Sequence, residues 1–316
     1  METAAALTPR SPTADDDLLE PQYVPESSDD IDEPQRSALA EIVADYWSHR
    51  DLLYQLTLRD VRLRYKQAVM GFGWAILMPM LVVLSGLIVR FAMAYYAGTS
   101  LVADDVARMG VKGVGWAFFV GALGFATSSL VSNSNLVAKV YFPREVLPVS
   151  ATLAQAVDSA IGSAALAVLL VVLGVHPTLA LLWVPVLALL LFVFTTAVSL
   201  AVSCANLFFR DIKYIVQVVL TFGIFFTPVL FEPAAFGRRG AWMMLNPLSP
   251  LLEGLRLSVV EGHNLLAPLV VMSVKGERVL AWTPWYLAYA AVWSIGGLLL
   301  ASLLFHKLES AFAEYV

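Results

Sequence analysis

The chain has 316 residues, of which 59% are hydrophobic and 14% are charged. Soluble domains are roughly half apolar and one quarter charged, so this composition excludes an ordinary soluble domain and indicates an integral membrane protein. The formal net charge of −5 is unevenly distributed, because residues 1–36 hold ten acidic and two basic residues and the other 280 are mildly positive.

The acidic segment, residues 1–36, is rich in Asp, Glu, Pro and Ser and poor in large apolar side chains. Such a segment buries too little apolar surface to offset the entropy of ordering, so we predict a disordered cytoplasmic tail. It has no basic start followed by an apolar run, and we do not expect a secretory signal. Its Asp30-Ile31-Asp32 triplet matches the DxD pattern of metal-dependent glycosyltransferases, but an acidic run produces that match by chance.

Residues 37–69 have the apolar periodicity of a helix and contain a cluster of cations. The apolar residues recur at intervals of three and four in two stripes: Leu39, Ile42, Val43, Tyr46 and Trp47, then Tyr54, Leu58, Val61 and Tyr65. We predict an interface helix at the cytoplasmic face, with its apolar side toward acyl chains and its arginines among headgroups. An ordinary juxtamembrane anchor is the alternative. The candidate functional residues are Arg59, Asp60, Arg62, Arg64, Tyr65 and Lys66. The spacing of four between Asp60 and Arg64 predicts a local ion pair.

Six later blocks are apolar enough and long enough for membrane-spanning helices, which need about 20 residues to cross roughly 30 Å of hydrocarbon. The blocks are 71–93, 114–134, 149–173, 181–205, 214–231 and 285–305. If the N-terminus is inside, short inner segments hold ten cations and longer outer segments hold eight. Because cytoplasmic loops carry the excess of Lys and Arg, we predict six spans with both termini in the cytoplasm.

Few ionisable residues fall within or beside these blocks. Asp158 lies in the third block, where burying a carboxylate is costly. We expect it to have an interhelical partner rather than to contact a sugar or a pyrophosphate-bound cation. Arg210 and Asp211 lie at the predicted cytoplasmic mouth before the fifth block. We expect them to pair with each other and with their neighbours, although an arginine there could also steer a lipid pyrophosphate.

The connection between the second and third blocks, residues 135–148, reads NLVAKVYFPREVLP. Two prolines break it, and it places aromatic residues beside a charge pair on the predicted cytoplasmic side. Aromatic residues and arginine are enriched at the centres of protein interfaces, so we predict a docking element for a soluble partner. A turn that caps a helix and anchors it at the interface is the alternative. The candidate contact residues are Tyr141, Phe142, Pro143, Arg144 and Glu145.

The predicted external segment, residues 232–284, contains apolar stretches that are too short to span the membrane. Ser249 and Pro250 suit the N-cap and first position of a helix, and Gly262 suits the position past its end. We therefore predict a short helix over 250–261, and a plain extracellular loop is the alternative. The candidate residues are Asn246, Pro247, Glu253 and Arg256, the last two at the spacing of a local ion pair.

The sequence lacks the motifs of common enzymes. It contains no G-x-x-x-x-G-K-[ST] to hold ATP phosphates, and no G-x-S-x-G or S-x-x-K for nucleophilic catalysis. Cys204 is the single cysteine and the four histidines are scattered. We therefore assign no catalytic residue and no metal site.

Four segments, in this order and spacing, resemble the membrane subunit of type-2 ABC exporters, in particular the subfamily that exports polyprenyl-linked polysaccharides. They are LRDVRLRYKQAVMGFGWAILMP (58–79), VYFPREVLPVS (140–150), NLFFRDIKYIVQVVL (206–220) and LNPLSPLLEGLR (245–256). The resemblance extends from about residue 40 to the end of the chain, and the acidic tail has no counterpart in it.

The resemblance implies an all-α membrane domain over residues 70–316, preceded by an interface helix. The loop at Tyr141 to Glu145 would be the coupling helix that fits a groove on a cytoplasmic ATPase, and short re-entrant helices in the external segment would form a gate. The functional unit would contain two copies of this chain and two ATPase subunits, and the ATPase subunits would bind ATP and Mg. The chain itself would bind no cofactor and no nucleic acid.

The implied cargo is a lipid-linked polysaccharide such as O-antigen, teichoic acid or galactan, moved across the bacterial cytoplasmic membrane in contact with membrane lipids. Two alternatives remain at this point. One is an integral-membrane glycosyl or acyl transferase, for which Asp158 and Glu253 are the candidate carboxylates. The other is an exporter of the same fold that moves a drug or a small lipid.

Overall fold

A computed structural model describes residues 48–66, 70–71, 73–97, 103–139, 142–272, 276–309 and 312. The predicted acidic tail, residues 37–47 of the interface region, and Tyr141 of the predicted coupling loop lie outside the described residues. All the described residues belong to one compact unit, residues 38–316.

Helices dominate the described part of the chain. The α-helices are α1 (Arg50–Tyr65), α2 (Gly73–Ala97), α3 (Ala103–Ser132), α4 (Ser134–Lys139), α5 (Val146–Val172), α6 (Trp183–Phe208), α7 (Ile212–Phe226), α8 (Gly240–Met243), α9 (Leu248–Val259) and α10 (Pro284–Glu309). Short 3₁₀ helices cover Leu179–Leu182 and Pro233–Arg239. Two strands, β1 (Leu269–Met272) and β2 (Arg278–Trp282), form a hairpin before α10.

Five helices within the described residues, α2, α3, α5, α6 and α10, are long and apolar enough to cross a membrane. The chain is therefore a multi-pass membrane protein. The predicted fifth span corresponds to α7, whose 15 residues extend only about 22 Å. This helix ends earlier than predicted because Thr227, the residue before Pro228, is extended. The count of six spans stays a prediction.

Helix α3 begins earlier than the predicted second span. Helix α3 begins at Ala103, eleven residues before the predicted block, and its first turns contain Arg108 and Lys112. These two cations looked like loop residues in the sequence. They are accommodated in a helix because carboxylates of the external segment lie beside them.

The external segment folds back onto the helix bundle. Within α9, every residue from Leu248 to Ser258 is buried, and the helix packs on α3, α6 and α10. Gly115 in α3 permits the close approach, because a Cβ atom there would lie 2.5 Å from Leu252 Cδ2. Backbone at membrane depth is stable when protein covers it, and the burial of α9 meets that condition.

The β-hairpin in the external segment is a departure from the all-α prediction. Strands β1 and β2 pair antiparallel, with Val270 opposite Leu280 and Met272 opposite Arg278. The sequence indicated apolar stretches too short to span the membrane, and the resemblance implied short re-entrant helices in this segment. Its β-branched residues are equally typical of a strand, and period alone does not separate the two for so short a run.

Candidate functional site

The first candidate site is the junction of α1 with α5. The Nη1 atom of Arg64, near the end of α1, lies 2.6 Å from Asp158 Oδ2 and also donates to Gln155 Oε1 at 2.8 Å. The Tyr65 hydroxyl donates to the other oxygen of the Asp158 carboxylate. The Arg64 guanidinium lies 3.8 Å from the ring centroid of Phe125 in α3. Charge-assisted hydrogen bonds are roughly twice as strong as neutral ones, so the end of α1 is firmly held against two spanning helices.

This junction confirms one prediction and corrects another. Asp158 has an interhelical partner, as expected, and that partner comes from α1. The predicted local pair of Asp60 with Arg64 is wrong. Asp60 instead lies 2.9 Å from Arg59 Nη2 and accepts a hydrogen bond from Ser150 Oγ at 3.3 Å. Both members of the predicted pair lie on the face of α1 that packs against α5, so each finds its partner there.

The orientation of α1 also differs from the prediction for Arg64, which was expected among lipid headgroups. The buried side chain of Leu56 and the packed side chain of Leu53 lie on the same face as Arg64 and join the core. Arg62 and Lys66 are exposed on the other faces. Burial, followed by the hydrogen bond to Asp158, raises the pKa of the Tyr65 hydroxyl above its ordinary value, so this group stays a proton donor.

The predicted coupling loop lies beside this junction, but its aromatic residue is not exposed. Phe142 is only 8% exposed and belongs to a buried cluster with Leu56, Leu147 and Phe305. Glu145 is buried as well. Phe142 was predicted to contact a soluble partner, but its ring packs into the core of the bundle, which extends into the loop. The partly exposed residues of the described loop are Pro143 and Arg144.

Arg144 binds the C-terminal end of α10. Its Nη1 donates to the Glu309 carbonyl oxygen at 2.6 Å, and its backbone N–H donates to Glu309 Oε1 at 3.1 Å. The Arg144 guanidinium also lies 5.8 Å from the ring centroid of Phe312. Sequence reasoning missed Glu309 and Phe312, because a separation of 165 residues gives no local signal.

The predicted cytoplasmic mouth is open to solvent. Arg210 and Asp211 are both exposed in the short turn between α6 and α7. Within the described residues, no salt bridge joins them to each other or to a neighbour, so the predicted pairing is not formed. Nearby, the side chain of Asn206 accepts a hydrogen bond from the backbone of Lys213 at 3.1 Å and fixes the start of α7.

The second candidate site joins α3 to the external segment. It consists of three cations and three carboxylates, here called the ionic cluster: Arg108, Lys112, Glu232, Glu253, Arg256 and Glu261. Along α3, Lys112 of the ionic cluster and Phe125, which the Arg64 guanidinium contacts, are separated by about 20 Å of helix rise. The two candidate sites therefore contact different parts of the same helix.

Arg256 is the centre of the ionic cluster. Its Nη2 lies 2.6 Å from Glu253 Oε1, which confirms the predicted pair at a spacing of three. Its Nη1 lies 2.5 Å from Glu261 Oε1 and 3.7 Å from Glu232 Oε1. Lys112, which is 1% exposed, donates to the Phe231 carbonyl oxygen at 2.9 Å and lies 3.9 Å from Glu253 Oε2.

Arg108 completes the cluster at its outer side. Its guanidinium donates to Glu232 Oε1 at 2.8 Å and lies 3.6 Å from Glu261 Oε1. Burial alone would raise the pKa of the Glu232 carboxyl, but Arg256 and Arg108 outweigh it and hold that pKa below its ordinary value. Burial would lower the pKa of Arg256, but Glu253 outweighs it and the pKa is raised. Glu232 therefore stays a carboxylate and Arg256 a guanidinium near neutral pH.

The start of α9 differs from the predicted capping. The helix begins at Leu248, and the Asn246 side-chain oxygen accepts a hydrogen bond from the Leu248 backbone N–H at 3.2 Å. The prediction that Ser249 is the N-cap is therefore wrong, and this residue is buried inside the helix. Gly262, predicted past the end of the helix, has a left-handed φ of 61°.

A cavity of about 680 Å³ lies between α3, α5, α6 and α9. Its walls are mainly apolar, with Ser159, Ser163 and His176 among the polar residues. This lining suits hydrocarbon better than a hydrated sugar, so we do not assign the cavity to a glycan. Among the described residues, no group of three or more His, Cys, Asp or Glu side chains is arranged to hold a metal ion.

Known proteins share this arrangement of segments. Residues 51–260, about two thirds of the chain, match the ABC-2 type transporter family, and all four resembling segments lie in that range. Two relatives are O-antigen export system permease proteins RfbA of Klebsiella pneumoniae, each 28% identical, over 67% and 64% of this chain and 81% and 77% of their own lengths. A third, of the same name from Myxococcus xanthus, is 27% identical over 68% of this chain and 81% of its length.

The family match and the structure agree on what kind of protein this is. The matched range includes α1, the loop at Phe142 to Glu145, and α9, which are the elements that build both candidate sites. The described helices give the chain its multi-pass character. The chain belongs to the ABC-2 type transporter family, as a membrane-spanning transporter subunit and not itself the ATPase.

Proposed function

We propose that this chain is the transmembrane subunit of an ATP-driven exporter that moves a polyprenyl-diphosphate-linked polysaccharide across the bacterial cytoplasmic membrane. A separate cytoplasmic subunit hydrolyses the ATP. The observation that carries the proposal is the similarity to O-antigen export permeases over 77% to 81% of their lengths. The cargo would be of the O-antigen, teichoic acid or galactan type.

The proposal assigns a role to each candidate site. The loop from Tyr141 to Glu145, together with α1, would receive the movement of the ATPase. Arg144 is the partly exposed cation of that loop and suits contact with a carboxylate of a soluble partner. Exposed Arg210 at the cytoplasmic mouth would meet the cargo pyrophosphate. The external helix α9, with Asn246, Pro247 and the ionic cluster, would form the gate.

The complex would contain two copies of this chain and two ATPase subunits, with ATP and Mg bound by the latter. Six spans with both termini in the cytoplasm are part of the same proposal, as are contacts of the basic face of α1 with membrane lipids. The stoichiometry follows from the resemblance to type-2 ABC exporters.

The geometry gives less support to a membrane-bound transferase. Such an enzyme needs a carboxylate available as acid or base, and the two candidates were Asp158 and Glu253. Each carboxylate lies 2.6 Å from an arginine nitrogen, in a well-packed interior. Each carboxylate is therefore already paired within the protein and is largely shielded from a substrate.

Co-purification tests the proposal against the transferase. We expect the tagged full-length chain, extracted in mild detergent from its native host, to bring down an ATPase with a Walker motif. Substitution of Arg144 by Ala should weaken that association or lower ATP-dependent export. Absence of any ATPase from the purified chain, together with normal surface glycan in the Arg144→Ala strain, would rule the exporter out.

The nature of the cargo separates this proposal from an exporter of a drug or small lipid. Cells depleted of the chain should accumulate lipid-linked glycan and keep their resistance to hydrophobic drugs. The reverse pattern would support the alternative cargo.

A further inference from the structure

The C-terminal end of α10 is fastened to the predicted coupling loop through the backbone and through side chains. The last turn of a helix leaves carbonyl oxygens without partners inside the helix. Arg144 supplies one partner by donating to the Glu309 carbonyl oxygen at 2.6 Å, and its own backbone N–H is held by Glu309 Oε1. A cation at this end of a helix also interacts favourably with the helix dipole.

Phe312 lies in the core. Phe312 is completely buried. Its ring meets Phe305 edge to face, with centroids 5.1 Å apart, and Phe208 of α6, with centroids 5.8 Å apart. Phe312 belongs to the same buried cluster as Phe142 of the loop. The loop and the end of α10 are therefore packed as one body.

Helix α10 connects this body to the external segment. Its 26 residues extend about 39 Å, and its first residue, Pro284, follows β2 after a single residue. At that end Trp282 is fully buried and donates from Nε1 to the Leu265 carbonyl oxygen at 2.9 Å. A packed helix held at both ends transmits displacement better than a free one.

We propose that Glu309 and Phe312 are positioning residues, here called the C-terminal clamp, which transmit movement of the coupling loop to α10 and through it to the external segment. The inference rests on the proposed function. It assigns the coupling of ATP hydrolysis to export partly to the C-terminal end of the chain. The exposed residues of the loop would bind the ATPase, and the clamp would not be required for that binding.

The test uses the full-length chain with its co-purified ATPase, both in its native host and in vesicles of the host's polar lipids. Three quantities are measured: recovery of the complex, ATP hydrolysis by the complex, and surface glycan on intact cells labelled with biotin hydrazide after mild periodate oxidation. The ratio of surface glycan to ATP hydrolysis reports coupling, which a purely structural role would not change at constant recovery.

We expect Phe312→Ala to assemble with the ATPase and hydrolyse ATP, while the coupling ratio falls by about an order of magnitude, within the range typical of coupling between two sites. Phe312→Leu, which keeps an apolar side chain of similar size, should restore most of the ratio. Leu308→Ala is the matched control, because Leu308 lies in the last turn of α10 and is 40% exposed, whereas Phe312 is completely buried.

A second pair of variants keeps the test decisive if Phe312→Ala does not fold. Glu309→Ala removes the Oε1 acceptor for the Arg144 N–H, whereas Glu309→Gln retains it. We expect a reduced coupling ratio in the first and a nearly normal ratio in the second. A normal ratio in Phe312→Ala or Glu309→Ala would overturn the clamp, and so would a loss of export in Glu309→Ala that only follows lost recovery of the complex. If the unaltered chain recovers no ATPase, the proposed function itself fails.

Discussion

At the scale of single residues, the chain stabilises charges within its interior by pairing them across helices. Arg64 reaches Asp158 from α1, and Arg256 reaches three carboxylates from α9. Removing one partner of a buried pair leaves an uncompensated charge, which is far more costly than never having had the pair. These residues should therefore be sensitive to substitution even where they touch no cargo.

The Arg64–Asp158 pair predicts a coupled loss of stability. We expect Asp158→Asn and Arg64→Gln each to lower the free energy of unfolding by about 3 kcal/mol, because each strands the other charge. The double variant should lose less than the sum, with a coupling energy above about 1 kcal/mol. The free energy of unfolding is measured in detergent for wild type, the two single variants and the double variant. Arg62→Gln, on the exposed side of α1, is the control, and additive losses would contradict the pair.

The ionic cluster predicts a dependence on pH. The pKa of Glu232 lies below its ordinary value of 4.5, so its contribution to stability is complete above that value and is lost as the pH falls through the lower, folded-state pKa. From this source we expect the thermal unfolding temperature to vary little between neutral pH and about pH 5. It should decrease once the pH is below about 4.5. Glu232→Gln should be less stable than wild type at neutral pH. The difference in unfolding temperature between the two proteins should be smaller in acid. Parallel curves for the two proteins would contradict this role.

At the scale of elements, the arrangement depends on helices that pack closely where their side chains are small. Helix α9 lies directly on Gly115 of α3, and the external segment takes its position from that contact. Gly124 lies further along the same helix, with nothing within 4 Å of the place where its Cβ would be. Both glycines therefore lie in helix α3, but the residues packed against them differ.

The two positions give a matched comparison. We expect Gly115→Ala to destabilise the protein by about 1 to 3 kcal/mol, because the new methyl group pushes the buried Leu252 side chain aside. Gly124→Ala should be neutral or slightly stabilising, because alanine favours a helix over glycine by about 1 kcal/mol. Thermal unfolding in detergent measures both. Equal effects at the two positions would mean that α9 does not pack on α3 as described.

The elements also show what could be predicted from sequence. The third, fourth and sixth predicted spans lie within a few residues of α5, α6 and α10, because long apolar blocks are a strong signal. The start of α3 was missed because Arg108 and Lys112 are accommodated there through Glu232 and Glu253, which lie more than a hundred residues away in the sequence. The hairpin was missed because a short apolar run is compatible with either a strand or a buried helix.

The candidate sites could be predicted only in part. A spacing of three identified the Glu253–Arg256 pair, because both residues lie on one helix. The cost of burying a carboxylate correctly indicated that Asp158 has a partner, but not which one. The partners of Arg144 come from the far end of the chain, and no local pattern indicates them.

At the scale of the whole molecule, two well-packed sites contact different parts of α3, with Phe125 at one and Lys112 at the other, about 20 Å apart along that helix. The predicted coupling loop, α1 and the end of α10 form one site, and the ionic cluster with α9 forms the other. In the proposed function the first site would receive movement and the second would open a path. It agrees with membership of a transporter family.

The most direct test of the proposed function is the fate of lipid-linked glycan in cells whose only copy of this chain is under regulated expression. On depletion we predict that polyprenyl-diphosphate-linked glycan accumulates inside the cytoplasmic membrane while the corresponding surface glycan is lost. Both changes should be reversed by the unaltered chain and not by Arg144→Ala. Depleted cells with normal surface glycan and no internal accumulation would contradict the account.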